Sequence, residues 1–290
     1  MKKIGLWIML LFHLAAQAQH KFPIQAHRGA RSHFPENSLY AFSQSVQAGF
    51  RMLELDVVIS GDGKIVVSHD PWFNPNICGK NQQLLQQKIP LYQLTYEEIK
   101  TYDCGSFGHP HFPQQQKVSV HKPLLEEVLI WANQQEKEIG EQLVLNIEIK
   151  TKKSWEKKGM PFYTVVCDSV LSLLQKHQRS EKDILQSFDV RVLNYLYQKN
   201  PKLTLSYLVG NALGIKQQLG KLKFSPSMYS SHYRLVNAKI VKYAHQQGIK
   251  VIPWTVNQLP DFIKLYHLSV DGIISDDPQL LQNYLQENQK

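Results

Sequence analysis

Cysteine is scarce in this chain, and none of it has the spacing of a metal site. The 290 residues contain 3 cysteines, Cys78, Cys104 and Cys167, and no Cys-x-x-Cys pair. So few cysteines cannot form a disulfide scaffold, and the missing spacing argues against a structural zinc site. In an exported protein Cys78 and Cys104 are a plausible disulfide pair with Cys167 left over, although the sequence alone does not fix the pairing.

Long apolar runs are missing as well. The N-terminal run Ile4–Phe12 is far shorter than the about 20 residues that span a bilayer, and no later segment approaches that length. Lys2–Lys3 precedes the run and Ala16–Ala18 follows it, which is typical of a signal peptide cleaved after Ala18. We therefore expect residues 1–18 to be removed, export to the periplasm or the medium, and no stable membrane anchor. An ordinary buried N-terminal helix is the alternative.

Charge is unbalanced but not concentrated. Lysine and arginine total 33 against 24 aspartate and glutamate residues, a formal net charge of +9, which favours an anionic partner. The lysines are scattered and no nucleic-acid recognition motif is present, so we expect no nucleic-acid partner. No GxGxxG or P-loop motif occurs, which argues against a nucleotide-binding sheet. Apolar residues make up 43% of the chain, which excludes a disordered protein.

Strand-like and helical patterns alternate regularly along the chain. Strands are predicted at Phe22–Ala26, Met52–Ile59, Leu143–Ile149, Asp183–Phe188, Leu203–Val209, Ser225–Tyr229, Lys250–Thr255 and Gly272–Ser275. A helical pattern follows each one; the first has Asn37 as its expected N-cap. Eight such units predict an α/β fold, a (β/α)₈ TIM barrel formed by residues 19–290, with a doubly wound open sheet as the alternative.

One stretch interrupts this alternation. Residues 71–123 are rich in Gln, Asn, Pro and Gly and predict an insertion after the second strand. Such an insertion can shape the mouth of a barrel, or it can be a surface excursion without a role. His109, His111 and His121 lie in it at irregular spacing, and we interpret them as surface residues.

Carboxylates interrupt two of the apolar strands. Glu54 and Asp56 are two residues apart and therefore lie on one face of their strand. Glu148 and Lys150 share a face of the next predicted strand in the same way. Strands of a parallel barrel are covered on both sides, so these buried carboxylates need a cation. One divalent ion, Ca²⁺ or Mg²⁺, and a salt-bridge set with Lys150 are both open interpretations.

Two histidines lie at predicted strand ends near these carboxylates. His27 ends the first strand and His69 follows the apolar run Ile65–Val67. Imidazole titrates near neutral pH, so the pair is a candidate for acid–base chemistry. Arg28 and Lys150 add positive charge nearby. Two cations, two histidines and a divalent ion together favour a phosphate ester as the substrate.

Several short motifs occur in an order that resembles the glycerophosphodiester phosphodiesterase family. They include Ala26-His27-Arg28-Gly29, Pro35-Glu36-Asn37-Ser38, Glu54-Leu55-Asp56-Val57, Ser68-His69-Asp70-Pro71, Pro123-Leu124-Leu125-Glu126-Glu127-Val128, Asn146-Ile147-Glu148-Ile149-Lys150, Pro253-Trp254-Thr255-Val256-Asn257 and Asp271-Gly272-Ile273-Ile274-Ser275-Asp276. The resemblance implies a TIM barrel that uses one divalent cation to hydrolyse glycerophosphodiesters, its small-molecule substrates, to sn-glycerol 3-phosphate and an alcohol.

The resemblance also implies a role for each matching residue. His27 and His69 correspond to the catalytic pair, and the metal ligands would be Glu54, Asp56 and Glu148. Substrate would be bound by Arg28, Lys150 and Trp254. Two further residues have two possible roles each: Glu36 could lie at the site or cap a helix, and Gln186 could face the site or pack in the core. Alternative functions are phospholipase-type hydrolysis of lysophospholipids or phosphoinositide headgroups, and a non-catalytic phosphodiester-binding barrel. The oligomeric state does not follow from the sequence.

Overall fold

The structure is a computed structural model that describes residues 22–288. Within that range eight parallel strands form the central sheet: β1 (Ile24–Ala26), β2 (Met52–Ile59), β3 (Val144–Ile149), β4 (Ile184–Ser187), β5 (Thr204–Val209), β6 (Met228–Ser231), β7 (Lys250–Val251) and β8 (Ile273–Ser275). The predicted signal peptide, residues 1–18, lies outside the described residues. None of the described helices is long and apolar enough to cross a bilayer.

The strands pair in the order of a closed barrel. The sheet runs from β7 back through β2 to β1, which pairs with β8. Backbone hydrogen bonds then join the segment at and after β7 to β8: Asp271 N to Val251 O at 3.0 Å, Ile274 N to Pro253 O at 2.9 Å and Val256 N to Ile274 O at 2.9 Å. The predicted TIM barrel is confirmed.

A main helix follows each barrel strand. These helices are α1 (Leu39–Gln47), α2 (Leu125–Ile139), α3 (Tyr163–Lys176), α4 (Val190–Lys199), α5 (Ile215–Leu219), α6 (Ala238–Gln246), α7 (Leu259–His267) and α8 (Pro278–Asn288). Their buried faces pack with the apolar strand residues into one core. Short helices also occur at Tyr96–Ile99 and Lys153–Glu156.

Three local predictions need correction. The N-cap of α1 is Ser38, whose side chain accepts the Ala41 N–H, and not Asn37. β6 begins three residues later than predicted, because Pro226 has no N–H to donate to the sheet. β7 is short because Pro253 interrupts the regular ladder, although Ile252 N and Trp254 N still bond to β6 carbonyls.

The stretch predicted as an insertion has its own small core. The strand Ile65–Val67 first returns antiparallel to β2. Two short antiparallel pairs follow, Trp72–Phe73 with Ile89–Pro90 and Gly79–Lys80 with Gln83–Leu84. A disulfide joins Cys78 to Cys104, and Cys167 is free and buried, which agrees with the pairing considered from the sequence. Phe73, Leu91 and Ile99 are among the residues packed around the disulfide.

Candidate active site

The predicted site residues come together at the carboxyl ends of the barrel strands. A cavity of about 320 Å³ opens there. It is lined by His27, Arg28, Arg31, Glu54, His69, Glu148, Lys150, Gln186, Phe188, Leu208, Trp254, Thr255 and Ile274. Of the eight residues assigned from the sequence only Asp56 is not part of this lining; it is fully buried beneath it.

Three carboxylates form a tight cluster in the barrel. β2 and β3 pair so that Asp56 is opposite Glu148. One oxygen from each of Glu54, Asp56 and Glu148 lies within 4.8 Å of the others, and all three residues are buried. Two oxygens bound to one Ca²⁺ at about 2.4 Å can be at most about 4.8 Å apart, so the spacing fits three ligands of a single ion.

Two cations partly neutralise this cluster. Lys150 Nζ lies 3.0 Å from Asp56 Oδ1 and 2.8 Å from Glu148 Oε1. Arg28 contacts Glu36 at 3.1 Å and has its Nε 3.4 Å from Asp56. The salt-bridge set considered from the sequence is therefore present, but it does not exclude the cation site.

The charge count shows that the salt bridges alone do not neutralise the acidic side chains. Five buried or half-buried carboxylates lie around the cavity with three basic side chains: Glu36, Glu54, Asp56, Glu148 and Asp276 with Arg28, Arg31 and Lys150. Two negative charges are therefore in excess, which a divalent cation would balance. Burial, then repulsion by Asp56 and Glu148, raises the pKa of Glu54 well above its ordinary value. Burial also raises the pKa of Glu148. The donor set fits Ca²⁺ or Mg²⁺.

Polar side chains around the cluster fix the orientation of its carboxylates. Asn37, at φ +55°, donates from Nδ2 to Asp56 Oδ2 at 2.9 Å and accepts the Asp56 N–H at 3.2 Å. Gln186 Nε2 donates to Glu54 Oε1 at 3.0 Å, and Arg28 N donates to Glu54 Oε2 at 3.0 Å. Asn37 is thus a support of the site, and Gln186 faces the site from β4.

A tight turn brings the Arg28 N–H to Glu54. Arg28 and Gly29 both have left-handed backbone, at φ +50° and +79°. A Cβ on Gly29 would lie 2.8 Å from the Ala41 Cβ, so the close packing of this turn on α1 requires glycine.

His27 is held by a carboxylate that sequence reasoning missed. Its Nδ1 lies 2.5 Å from Asp276 Oδ1, and its Nε2 lies 3.8 Å from Glu54 Oε2. Burial lowers the pKa of His27 to about 4, although Asp276 opposes the shift. At neutral pH the imidazole is uncharged, with Nδ1–H directed at Asp276 and the Nε2 lone pair available.

Asp276 is itself fixed from two further sides. Arg31 Nε donates to it at 2.6 Å and Asn257 Nδ2 at 2.7 Å. Burial disfavours its charged form, but His27 and Arg31 outweigh burial and hold the pKa of Asp276 far below its ordinary value. Asp276 is the last residue of a motif noted in the sequence, Asp271–Asp276. Nothing in the neighbouring sequence predicts that it contacts His27, which is 249 positions away.

His69 and Trp254 occupy different parts of the cavity wall. His69 Nδ1 lies 3.1 Å from Asp70 Oδ1 and is one-third exposed. Trp254 donates its indole N–H to Ser230 O at 2.8 Å, which fixes the ring. The Phe188 and His232 rings meet Trp254 edge to face at 5.4 and 5.3 Å. One side of the cavity is thus charged and the other is aromatic.

The model of the glycerophosphoryl diester phosphodiesterase family matches residues 27–280, nearly the whole described chain. The chain belongs to this family. Its motifs and its enzyme class, predicted from the sequence, are confirmed. The match begins at His27 and includes Asp276, so both partners of that pair lie within the family region.

Several relatives are similar to this chain over at least 90% of its length. A glycerophosphodiester phosphodiesterase of Caldanaerobacter subterraneus subsp. tengcongensis is 27% identical over 90% of this chain and 97% of its own. A human lysophospholipase D is 21% identical over 95% of this chain and 88% of its own. The solved structure of a candidate glycerophosphoryl diester phosphodiesterase from Silicibacter pomeroyi has a TM-score of 0.84 at 26% identity, covering 91% and 93% of the two chains.

A further solved structure shares the fold. It is a phosphodiesterase of Oleispira antarctica in complex with the product sn-glycerol-3-phosphate, with a TM-score of 0.74, 23% identity and coverage of 91% and 96%.

Proposed function

We propose that this phosphodiesterase hydrolyses glycerophosphodiesters to sn-glycerol 3-phosphate and an alcohol, with His27 and His69 as general acid and base. The observation that carries the proposal is the neutral His27 imidazole. Asp276 orients it at 2.5 Å, and its free nitrogen lies 3.8 Å from Glu54, in a cavity whose acidic side chains exceed its basic ones by two charges. A non-catalytic binding barrel has no need for a histidine held in one tautomer by a buried carboxylate.

Substrate binding follows from the charges of the cavity. Arg28 and Lys150 attract the phosphate, and their pairing with Glu36, Asp56 and Glu148 keeps both side chains in place. The aromatic wall at Trp254 and Phe188 contacts the leaving alcohol. Glu54, Asp56 and Glu148 would hold one Ca²⁺ or Mg²⁺, and that ion would supply Lewis-acid stabilisation of the phosphate charge and a lower pKa for a nearby hydroxyl.

The two histidines exchange protons with the reacting groups. His27 Nε2 accepts a proton from the nucleophile, which is water or the neighbouring glycerol hydroxyl. Asp276 stabilises the imidazolium that forms. His69 donates a proton to the leaving alkoxide. If the glycerol hydroxyl attacks, its oxygen bonds to phosphorus while the bond from phosphorus to the alcohol breaks, and a cyclic phosphate forms. Water then opens the ring: His69 accepts the proton of the water, and His27 returns its proton to the glycerol oxygen.

The experiment uses glycerophosphocholine with and without EDTA. His27→Ala and His69→Ala should each reduce turnover by about 10²–10⁴-fold, because each removes one proton transfer. His111→Ala is the matched control, since that histidine is exposed and does not line the cavity. EDTA should abolish wild-type turnover, and Ca²⁺ or Mg²⁺ should restore it. Near-normal turnover in either active-site variant would contradict the assignment.

A second substrate class is favoured by one observation. Phe188 is 43% exposed at the cavity wall beside Trp254 and Leu208, which would suit an acyl chain. Lysophospholipids are therefore the alternative substrates. Turnover of glycerophosphocholine, glycerophosphoethanolamine and lysophosphatidylcholine, each with Ca²⁺ and with Mg²⁺, ranks the substrates and identifies the ion. A Phe188→Ser variant should reduce lysophospholipid turnover more than turnover of the two glycerophosphodiesters, because an acyl chain would cover more of this side chain than a small alcohol does.

We also propose that the chain is exported and cleaved after Ala18. The Cys78–Cys104 disulfide supports an oxidising compartment. N-terminal sequencing of protein recovered from the producing cell tests this, and a mature chain that begins at Met1 would contradict it.

A further inference from the structure

A cluster of exposed lysines lies beside the cavity and takes no part in the proposed chemistry. Lys152, Lys153, Lys157 and Lys158 follow β3 directly after the cavity residue Lys150, and all four are exposed. A fifth, Lys88, comes from the excursion between residues 71 and 123. We call these five residues the basic rim.

Two tryptophans bring the two parts of the basic rim together. Trp72 lies three positions after His69, and its ring meets Trp155 edge to face at 6.0 Å. Lys88 Nζ lies 4.4 Å from the centre of the Trp72 ring, and Lys152 Nζ lies 5.0 Å from that of Trp155. The Tyr92 hydroxyl also donates to Lys158 O at 3.1 Å. The rim is therefore one surface at the mouth of the barrel.

The charge of this surface is not neutralised by the protein. Within residues 22–288, no carboxylate forms an ion pair with any of the five lysines. Glu156, the acidic residue among them, is paired instead with Arg191 at 2.9 and 3.0 Å. Elsewhere Lys100, Lys176 and Lys182 do have acidic partners.

An exposed apolar side chain follows the same segment. Phe162, just before α3, is 68% exposed, the largest exposed fraction of the large apolar residues that the structure describes. Its neighbour Tyr163 packs against Arg191, which is the ion-pair partner of Glu156, and this places Phe162 near the rim. Lysines around tryptophan, with an exposed phenylalanine nearby, match the composition of surfaces that lie in a membrane interface. A purely electrostatic partner such as a nucleic acid would not require the phenylalanine.

We propose that the basic rim and Phe162 dock the mouth of the barrel reversibly on an anionic phospholipid surface. The lysines contact acidic headgroups, the two tryptophans lie at headgroup depth, and Phe162 enters the acyl boundary. The active site then faces the membrane at which phospholipid degradation releases its substrates. This docking is independent of the chemistry in the cavity, and it is not a stable anchor.

The test is co-sedimentation of the purified protein with two kinds of vesicle. One kind is pure phosphatidylcholine, and the other is an equimolar mixture of phosphatidylcholine and phosphatidylglycerol. The wild type should bind only the anionic vesicles, and salt should release it. All variants carry the same N-terminus, so any contribution of residues 1–21 cancels.

The rim variant changes Lys152, Lys153, Lys157 and Lys158 to Gln. A lysine near an anionic surface increases binding about fivefold, so the variant should bind about 10²–10³-fold less tightly. The matched control changes Lys137, Lys202, Lys223 and Lys250 to Gln, an equal loss of charge near the opposite end of the barrel. This control should bind like the wild type. Equal losses in the two variants would overturn the proposal, as would absence of wild-type binding.

Two further measurements separate docking from other roles. Phe162→Ser should weaken vesicle binding several-fold, and hydrolysis of soluble glycerophosphocholine should be unchanged in every one of these variants. If the rim bound polyuridylate and the protein did not bind vesicles, the proposal of a membrane partner would be wrong and a nucleic acid would be the partner. Folding is verified by the melting temperature, which loss of unpaired surface lysines should leave unchanged.

Discussion

Arg179 is fully buried, and each of its five N–H donors has an acceptor. It bonds to both oxygens of Asp183 at 2.6 and 2.7 Å, to Leu143 O, to Asn133 and to Glu136. Lys182 supplies the second positive charge, 2.9 Å from Glu136. This group lies where β3 and β4 begin, and its two acids and two bases balance.

The charged group near the carboxyl ends of β2 and β3, at the other end of the barrel, is not balanced. Glu54, Asp56 and Glu148 lie there with Arg28 and Lys150. Arg28 Nε and Asp56 Oδ1 are buried without a hydrogen-bond partner in the described structure, although ion pairs at 3.4 and 3.0 Å give them opposite charges nearby. We infer that the two groups differ in role: the saturated group holds two strands together, whereas the group with excess negative charge has room for a cation.

The largest effect should come from removing charge from the unbalanced group. Glu54→Gln should reduce turnover by about 10³-fold or more, because a metal ligand is lost. Its stability in EDTA should be equal to or greater than that of the wild type, since repulsion with Asp56 and Glu148 decreases. Turnover and the urea midpoint measure the two effects. Strong destabilisation of Glu54→Gln would instead show that this carboxylate group stabilises the fold, as the Arg179 group does.

The balanced group should show the opposite behaviour. Arg179→Met should cost about 3–5 kcal/mol of unfolding free energy, because Asp183 is left buried without its partner. Denaturant unfolding measures the loss, and the double variant Arg179→Met, Asp183→Asn should recover part of it. Turnover per folded molecule should stay at the wild-type level. A loss of turnover without a loss of stability would contradict the structural role.

Asp276 is fully paired, like the Arg179 group, but it lies next to the carboxylate cluster. One substitution tests which of the two groups it resembles in function. Asp276→Asn should reduce kcat by about 10²-fold, because the amide can favour the wrong His27 tautomer. KM should change little, since Asp276 does not line the cavity. The pH profile should move as well, because the carboxylate no longer supports the imidazolium. An unchanged profile with a lower melting temperature would indicate only a packing role.

The smallest effect concerns pH and the cation. Burial and like charges raise the folded pKa of Glu54 above its ordinary 4.5, so the folded state binds this proton more tightly than the unfolded chain. The resulting stability is complete below pH 4.5 and is lost as the pH rises through the raised value. In EDTA the wild type should therefore lose stability relative to Glu54→Gln as the pH increases to neutrality.

The bound cation should reverse that loss. At a cation concentration of 100 times Kd the wild type should gain about 2.7 kcal/mol, and Glu54→Gln should gain much less. Thermal unfolding at several pH values, with EDTA and with Ca²⁺ or Mg²⁺, measures both effects. If the stability of the wild type changed with neither pH nor cation concentration, the cluster of Glu54, Asp56 and Glu148 would carry no excess negative charge.

The sequence was sufficient wherever the signal was local. Alternating patterns predicted eight strands, and the i, i+2 spacing put Glu54 and Asp56 on one face of β2. Asn37 was misassigned because Asn37 and Ser38 are both good caps, and only the left-handed backbone of Asn37 turns its side chain to Asp56. The Arg179 group had no pattern at all, since its partners come from three separate segments.

The pairing of His27 with Asp276 determines when, during synthesis, the imidazole can first be oriented. The two residues are separated by 249 positions, and β1 needs β8 beside it to close the barrel. During synthesis, Glu54, Asp56 and Glu148 are all made well before Asp276, which orients the imidazole of His27. Synthesis through residue 276 therefore precedes the assembly of this pair, and a chain truncated before that residue would lack the carboxylate that orients His27.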